Sequence, residues 1–299
     1  MATSVTPLHP VFAAEVRGID LTKPVDPAAF ADIEAAFHKY GVLVFPDQPV
    51  TDAQQVDFSA LFGPVITATQ YHRDAPERRV PDNISDISNI GPDGNLMAAD
   101  DDRRMHHKAN ELWHTDGTFK HVPARCSLLS ARELPQADGD TEFADMRAAY
   151  DALPEERKQE IEDLVVEHSI FYSREQIGFS GYTEAARAGL PPVNQVLVCT
   201  HPATGRKALY LASHITHVVG WPVAKGRRLI DELTAHATQP DFVYRHRWRA
   251  NDLVLWDNRC SMHRARPYDD LRERRVMHRT TVSDEINSVE REQPERVAI

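Results

Sequence analysis

The sequence predicts a mainly β fold with peripheral helices, a jelly roll or double-stranded β-helix, held in one domain spanning 1–299. Two observations predict it. Many short stretches run apolar or alternate between turn residues, and only a few helical segments lie between them. A single β-rich domain of this length is ordinary, since such domains commonly exceed about 200 residues.

Asp26-Pro27, then Phe30, Ile33, Ala36 and Phe37, stopped by Gly41, predict an amphipathic helix with an N-cap, proline at N1 and a glycine end. Val42 to Phe45 follows as a buried strand ended by Pro46. Thr51 and Gln54 have the spacing of a capping box, opening a helix through Leu61. From Thr67 to Asn110 the chain is rich in Pro, Asp, Asn, Arg and Gly, with one strand-like stretch from Ile84 to Ile90. A connection this long, 67–110, reads equally as a lid that closes over bound substrate or as a surface insertion. Asp145 to Leu164, broken at Pro154, and Val223 to Ala237 read as helices, with Asp145 as a cap. Val196 to Cys199 and Lys207 to Leu211 flank a turn-forming Ala203-Thr204-Gly205-Arg206 and suggest a hairpin. Phe242, Tyr244, His246 and Trp248 alternate with polar or smaller residues, giving a strand with one aromatic face. Asn251-Asp252 makes the turn into Leu253 to Trp256, and another turn precedes His263.

Hydrophobic residues at 41% and charged residues at 26% are those of a globular protein rather than a disordered one. The net charge of −11 argues against nucleic acid as a partner, because duplex binding needs a basic face. Met1 to Asp20 holds no basic segment followed by an apolar core, and nowhere do about 18 apolar residues run together. A cytoplasmic location without a membrane partner is expected. Cys126, Cys199 and Cys260 are too few and too scattered for a disulfide framework, and Cys260, close to His263, reads as a buried, inert thiol.

Chemistry concentrates in a few blocks. His114 and Asp116 stand two residues apart, so in a strand both face one way while Thr115 turns aside. His263 follows 147 residues after Asp116, a gap that pairing of distant strands can close. Two histidines and a carboxylate cover one face of an octahedral ion and leave the opposite positions open for a bidentate co-substrate and dioxygen, which points to iron(II). Alone, an H-x-D tripeptide is a common accident.

Basic residues add to it. Arg275, Met277 and Arg279 share one face of a strand, and at about 3.3 Å per residue the two arginines stand roughly 13 Å apart, which implies two different anions. From Arg245 to Arg279 there are ten Arg, no Lys and five acids, a local +5 that would focus anionic ligands. Arg245, Arg247 and Arg272 read as part of a solvated face. His106, His107, His168, His201, His246 and His278 read as structural or exposed; His214 is a candidate substrate contact, and His214-x-x-His217 lacks further ligands for a metal.

Taken together, Trp113-His114-Thr115-Asp116, Gly139-Asp140-Thr141-Glu142-Phe143, Trp256-Asp257-Asn258-Arg259 with His263, and Arg274-Arg275-Val276-Met277-His278-Arg279 resemble the taurine and 2,4-dichlorophenoxyacetate dioxygenase family. The similarity runs from Leu8-His9-Pro10 to Thr281. It implies a cupin-like fold and an iron(II) held by His114, Asp116 and His263. It further implies that Thr141 and Arg275 bind the distal carboxylate of 2-oxoglutarate, that Arg279 meets the anionic end of the prime substrate, and that Asn110 lines the substrate pocket. Gly139 to Pro154 and Phe242 to Trp248 are similar to the aryloxyacetate branch in particular. Gly117, lacking a side chain, either leaves room for an aromatic ring or serves the backbone. Asn251 departs from the glycine frequent in relatives, but asparagine tolerates positive φ.

The implied reaction consumes 2-oxoglutarate and dioxygen, with ascorbate as an activator in vitro. It hydroxylates the carbon beside the ether oxygen of a small anionic aryloxyalkanoate, giving a phenol, an oxoacid, succinate and CO2. Alternatives are the same chemistry on a sulfonate such as taurine, a sulfate ester or another carboxylate. From other classes stand a zinc hydrolase using the same three ligands and a non-catalytic ligand-binding protein on the same fold. A homo-oligomer is compatible with all of these.

Overall fold

In the computed structural model, residues 3–67, 78–179 and 182–296 are described. The largest sheet has seven strands in the spatial order Ser4–Pro7, Ala14–Arg17, Val42–Phe45, Leu253–Asp257, Ala124–Glu133, Val276–Ser283 and Ser85–Asp86. Its pairs are antiparallel except Ala14–Arg17 with Val42–Phe45. A second sheet sets Thr141–Asp145 between Val243–His246 and Ser261–Ala265. Smaller sheets join Val165–His168 to Ile215–Val218 and Val193–Val196, and Val198–Thr200 to Lys207–Leu209.

Side-chain alternation sorts the core into layers. Val42, Val44, Val254, Trp256 and Met277 leave one face of the large sheet and meet Phe143 of the second sheet. Leu43, Phe45, Leu253 and Leu255 leave the other face and pack on Ile33 and Phe37 of helix Pro27–Tyr40 and Phe58 of helix Asp52–Ala60. Because both faces are covered, every residue of Val42–Phe45 and Leu253–Asp257 is buried, and the period-2 pattern vanishes into a continuous apolar run. Behind the second sheet, Ala144 and Met262 join Leu229, Ile230 and Leu233 of helix Val223–Ala237.

Helix ends follow the local chemistry. Asp26 accepts from the backbone of Ala28 and Ala29, Gly41 closes the same helix at φ 70°, and Thr51 and Gln54 form a reciprocal capping box. Asp145 caps Met146–Asp151 and pairs with buried Arg147, while Pro154 divides that helix from Glu155–Ile161. Asn251 takes φ 62°, the conformation expected of it.

Several elements differ from the sequence reading, among them the helices Ile170–Glu175, Glu184–Gly189 and Ser288–Glu292, which it did not expect. Only Ser85–Asp86 of the stretch from Ile84 to Ile90 joins a sheet, and Ile90 instead bridges Leu96. Helix Asp102–Lys108 is new; DRRMHHK carries no apolar stripe, so periodicity is silent there. The hairpin begins at Val198, because Val193–Val196 is drawn off to pair with Val165–His168. Of the expected lid at 67–110, residues 68–77 lie outside the described residues. Among the described residues no helix is long and apolar enough to cross a membrane, and all three cysteines are buried and unpaired.

Candidate active site

His114 and His263 are joined directly: each backbone N–H donates to the other's carbonyl, at 3.0 and 2.8 Å. Residues paired in this way present side chains on the same face, and the two rings lie 4.2 Å apart by centroid. Asp116 reaches them from the start of a turn rather than from a continuous strand, while Thr115 turns aside to donate to Leu211 O and Ser261 O. Ligand atoms of the three residues fall within 4.8 Å of one another, and all three are buried. His114 Nε2 lies 3.9 Å from Asp116 Oδ1, and His263 Nε2 lies 3.8 Å from Oδ2. Both gaps are under twice a metal–ligand bond of about 2.1 Å.

The donor set suits a cation. His114 Nδ1 donates to Leu112 O at 2.8 Å, which leaves the Nε2 lone pair facing Asp116. Burial lowers the His114 and His263 pKa values, favouring neutral, ligating imidazoles. Burial also works to raise the Asp116 carboxyl, but the Arg279 charge, then His263, His114 and the Ser127 hydroxyl, outweigh it and hold the group at about 2. Ser127 Oγ donates to Asp116 Oδ2 at 2.8 Å, and Asn258 Oδ1 accepts from the Asp116 N–H. Trp256 Nε1 and the Asn258 amide complete this support, with Asn258 Nδ2 donating to Ser127 Oγ.

Two hollows meet at this triad. A cavity of about 260 Å³ takes in Asp116, Gly117, Lys120 and His214, whereas a smaller recess takes in Thr141, Trp256, His263 and Arg275. Asn110, His114 and Arg279 border both. In the recess, Arg275 is 5% exposed, and among the described residues its guanidinium has no acid within 4 Å; Nε donates to Gly139 O. Burial lowers its pKa, yet an arginine stays cationic. Asn89 Oδ1 accepts from the Arg275 N–H, and Trp248 Nε1 donates to Thr141 Oγ1, leaving that hydroxyl its own proton to give. Arg279 Nη1 rests on Asp116 Oδ1 at 2.6 Å.

Gly117 borders the cavity at φ 70°, and a Cβ there would come within 2.9 Å of Ala124 Cβ and 3.0 Å of Ala124 N. Its missing side chain therefore serves the backbone, and a substituent would meet Ala124. Gly117→Ala is expected to destabilise the protein by roughly 1–2 kcal/mol from the left-handed conformation, before any clash is added, read as a lower urea midpoint.

His214 lies in the cavity wall with Nδ1 on Ser173 Oγ, whereas His217 pairs with Glu167 at the periphery, so the i, i+3 spacing does not converge. Arg245 pairs with Asp140, and Arg272 with Asp269 is 84% exposed, as a solvated face requires. Sequence reasoning overlooked Ser127 and Lys120, which belong to no spaced motif, and gave Trp248 a place on an aromatic strand face but no part in the site. It also overlooked the cluster His38, His201 and Asp257. There Arg259 grips both Asp257 oxygens at 2.9 and 2.6 Å, so the carboxylate is already saturated and the cluster is an ion-pair network.

The family model described as taurine catabolism dioxygenase TauD, TfdA family matches residues 4–281. An alpha-ketoglutarate-dependent 2,4-dichlorophenoxyacetate dioxygenase of Cupriavidus pinatubonensis is 45% identical over 96% of this chain and 100% of its own. An (S)-phenoxypropionate/alpha-ketoglutarate dioxygenase of Sphingobium herbicidovorans is 37% identical over 95% of this chain and 96% of its own. Among solved structures, AAD-2 in complex with Mn(II) and N-oxalylglycine is 46% identical with a TM-score of 0.88, covering 97% of this chain and 99% of that one.

Proposed function

The chain belongs to the TauD/TfdA dioxygenase family, and from that premise we propose that it is an iron(II)- and 2-oxoglutarate-dependent dioxygenase that cleaves aryloxyalkanoates by hydroxylating the carbon beside the ether oxygen. The observation that carries this reading is a buried cation, Arg275, with no acid within 4 Å among the described residues, beside a His–Asp–His triad. A buried unpaired charge is costly, so the recess is built for an anion. Thr141 and Arg275 would take the distal carboxylate of 2-oxoglutarate, and His114, Asp116 and His263 would hold iron(II).

Iron(II), when bound, supplies the electron transfer that lets dioxygen split between its two products, one oxygen entering succinate as CO2 leaves and the other entering the substrate carbon. Everything else is positioning by the chain. Arg275 orients the co-substrate by a charged fork, Ser127 and Asn258 fix Asp116, and the Leu112 carbonyl fixes the His114 ring. Arg279, Asn110 and His214 line the side on which the aryl substrate would lie. Hydroxylation beside an ether oxygen gives a hemiacetal, which collapses to phenol and oxoacid without further help. The part of the 67–110 insertion from Arg78 to Asn110 walls the larger cavity and would screen this chemistry from water. The sheets enclosing the Phe143 core support a cupin-like double-stranded β-helix as the finer description.

Sulfonate or sulfate-ester oxidation would use the same residues, whereas a zinc hydrolase leaves Arg275 and Thr141 without a task. With ferrous iron, ascorbate and 2-oxoglutarate, phenoxyacetate and 2-phenoxypropionate should yield phenol and succinate in equal amounts. Succinate released only with taurine or an alkyl sulfate would overturn the aryloxyalkanoate assignment.

A further inference from the structure

Cations line the larger cavity, and several are already matched by acids. Arg78 pairs with Asp82 at 3.3 Å, Arg79 with Asp86 at 2.9 Å and Arg103 with Asp101 at 2.6 Å. Arg279 is likewise drawn onto Asp116, although its buried Nε has no partner among the described residues. Lys120 differs: it is half-buried in the cavity wall, and among the described residues its ammonium makes no hydrogen bond or ion pair.

Its placement is built. The turn that opens at Asp116 brings the Lys120 N–H onto Gly117 O at 2.9 Å, with Gly117 in the left-handed region. Gln195, fully buried, donates from Nε2 to both Thr118 O and Lys120 O, at 3.2 and 3.0 Å. The other end of that amide accepts from Ser288 Oγ at 2.5 Å. A locked amide thus fixes the Lys120 backbone four residues beyond the carboxylate of the triad. Burial, and then the Arg279 charge, lower the Lys120 pKa while Asp116 raises it. An anion lying between Lys120 and Arg279 would supply the partner that the chain withholds.

Resting on the function proposed above, we propose that Lys120 is a substrate-binding residue, the second cation of a clamp with Arg279 that grips the anionic end of the prime substrate. Because Arg279 is shared with Asp116, Lys120 supplies the larger part of the affinity for the anion. An ammonium accepts approach from many directions, so the clamp tolerates some variation in where the carboxylate lies.

Calorimetric titration of phenoxyacetate, an alkyl sulfate and uncharged phenoxyethanol into Mn(II)- and N-oxalylglycine-loaded protein tests this. Lys120→Met and Lys120→Gln should weaken the bound anion by about 10- to 100-fold, the range of a charged hydrogen bond, and Lys120→Arg should restore most of it. Phenoxyethanol binding and the KM for 2-oxoglutarate should not move. Unchanged phenoxyacetate affinity in both uncharged variants, with phenol release intact, would overturn the role of Lys120 and leave the proposed reaction standing. Lys120-dependent binding of the alkyl sulfate without phenol release from any aryloxyalkanoate would do the reverse. A rise in the 2-oxoglutarate KM equal to the loss of anion affinity would mark Lys120 as a general support of the fold and overturn the proposal.

Discussion

Asp116→Ala is expected to abolish turnover and to reduce metal affinity by far more than the roughly 10- to 100-fold typical of losing an outer partner of a metal site. Asp116 is the anionic member of the triad, and both histidine Nε2 atoms face it. Held at about 2, its carboxyl is ionised throughout the neutral range in the native protein, so the substitution removes a full negative charge from the site. The substitution also strips Arg279 of its partner and leaves the Ser127 hydroxyl without its acceptor. A cation would then sit where a cation must bind, and the two effects act in the same direction. Anaerobic titration with ferrous iron, or Mn(II) binding followed by electron paramagnetic resonance, reads the loss. Near-native metal affinity in Asp116→Ala would show that the triad is not the metal site.

Arg275→Ala should raise the requirement for 2-oxoglutarate and leave metal affinity nearly unchanged. Truncating one partner of a buried, hydrogen-bonded charge pair loses roughly 2–5 kcal/mol, which is about 30-fold to several thousand-fold in KM. Arg275→Lys should recover only part of it, because an ammonium cannot reproduce the two parallel bonds of a guanidinium. The variant should not destabilise the protein, and truncation should even relieve it, since the native side chain is a buried cation with no acid within reach among the described residues. A KM change for 2-oxoglutarate of less than threefold would mean that the recess serves another ligand.

The layers of the fold were legible because they depend on patterns that survive in one dimension. Val42–Phe45 and Leu253–Asp257 announce themselves as apolar runs, and Pro27–Tyr40 by its caps. Asp102–Lys108 escaped notice because its stability comes from Asp101 at its N-terminus and from tertiary contacts, not from an apolar stripe. In the site, His114, Asp116, His263 and Arg275 were readable as residue types suited to one chemistry, and distant strand pairing brings them together. Asp116 shows the limit: the i, i+2 rule put it on the correct face, but a turn does the work of the expected strand. Ser127, Lys120 and the contact of Trp248 with Thr141 were invisible for a related reason. A serine that steadies a carboxylate or a lysine without a partner acquires its meaning only from neighbours that are remote in sequence.

The mutual backbone clasp of His114 and His263 spans 149 residues. While the polypeptide is still being synthesised, the first histidine and its aspartate emerge long before their companion, and the arginines later still. A nascent chain therefore carries two of the triad's three side chains long before the third, and the site can close only once His263 has been made.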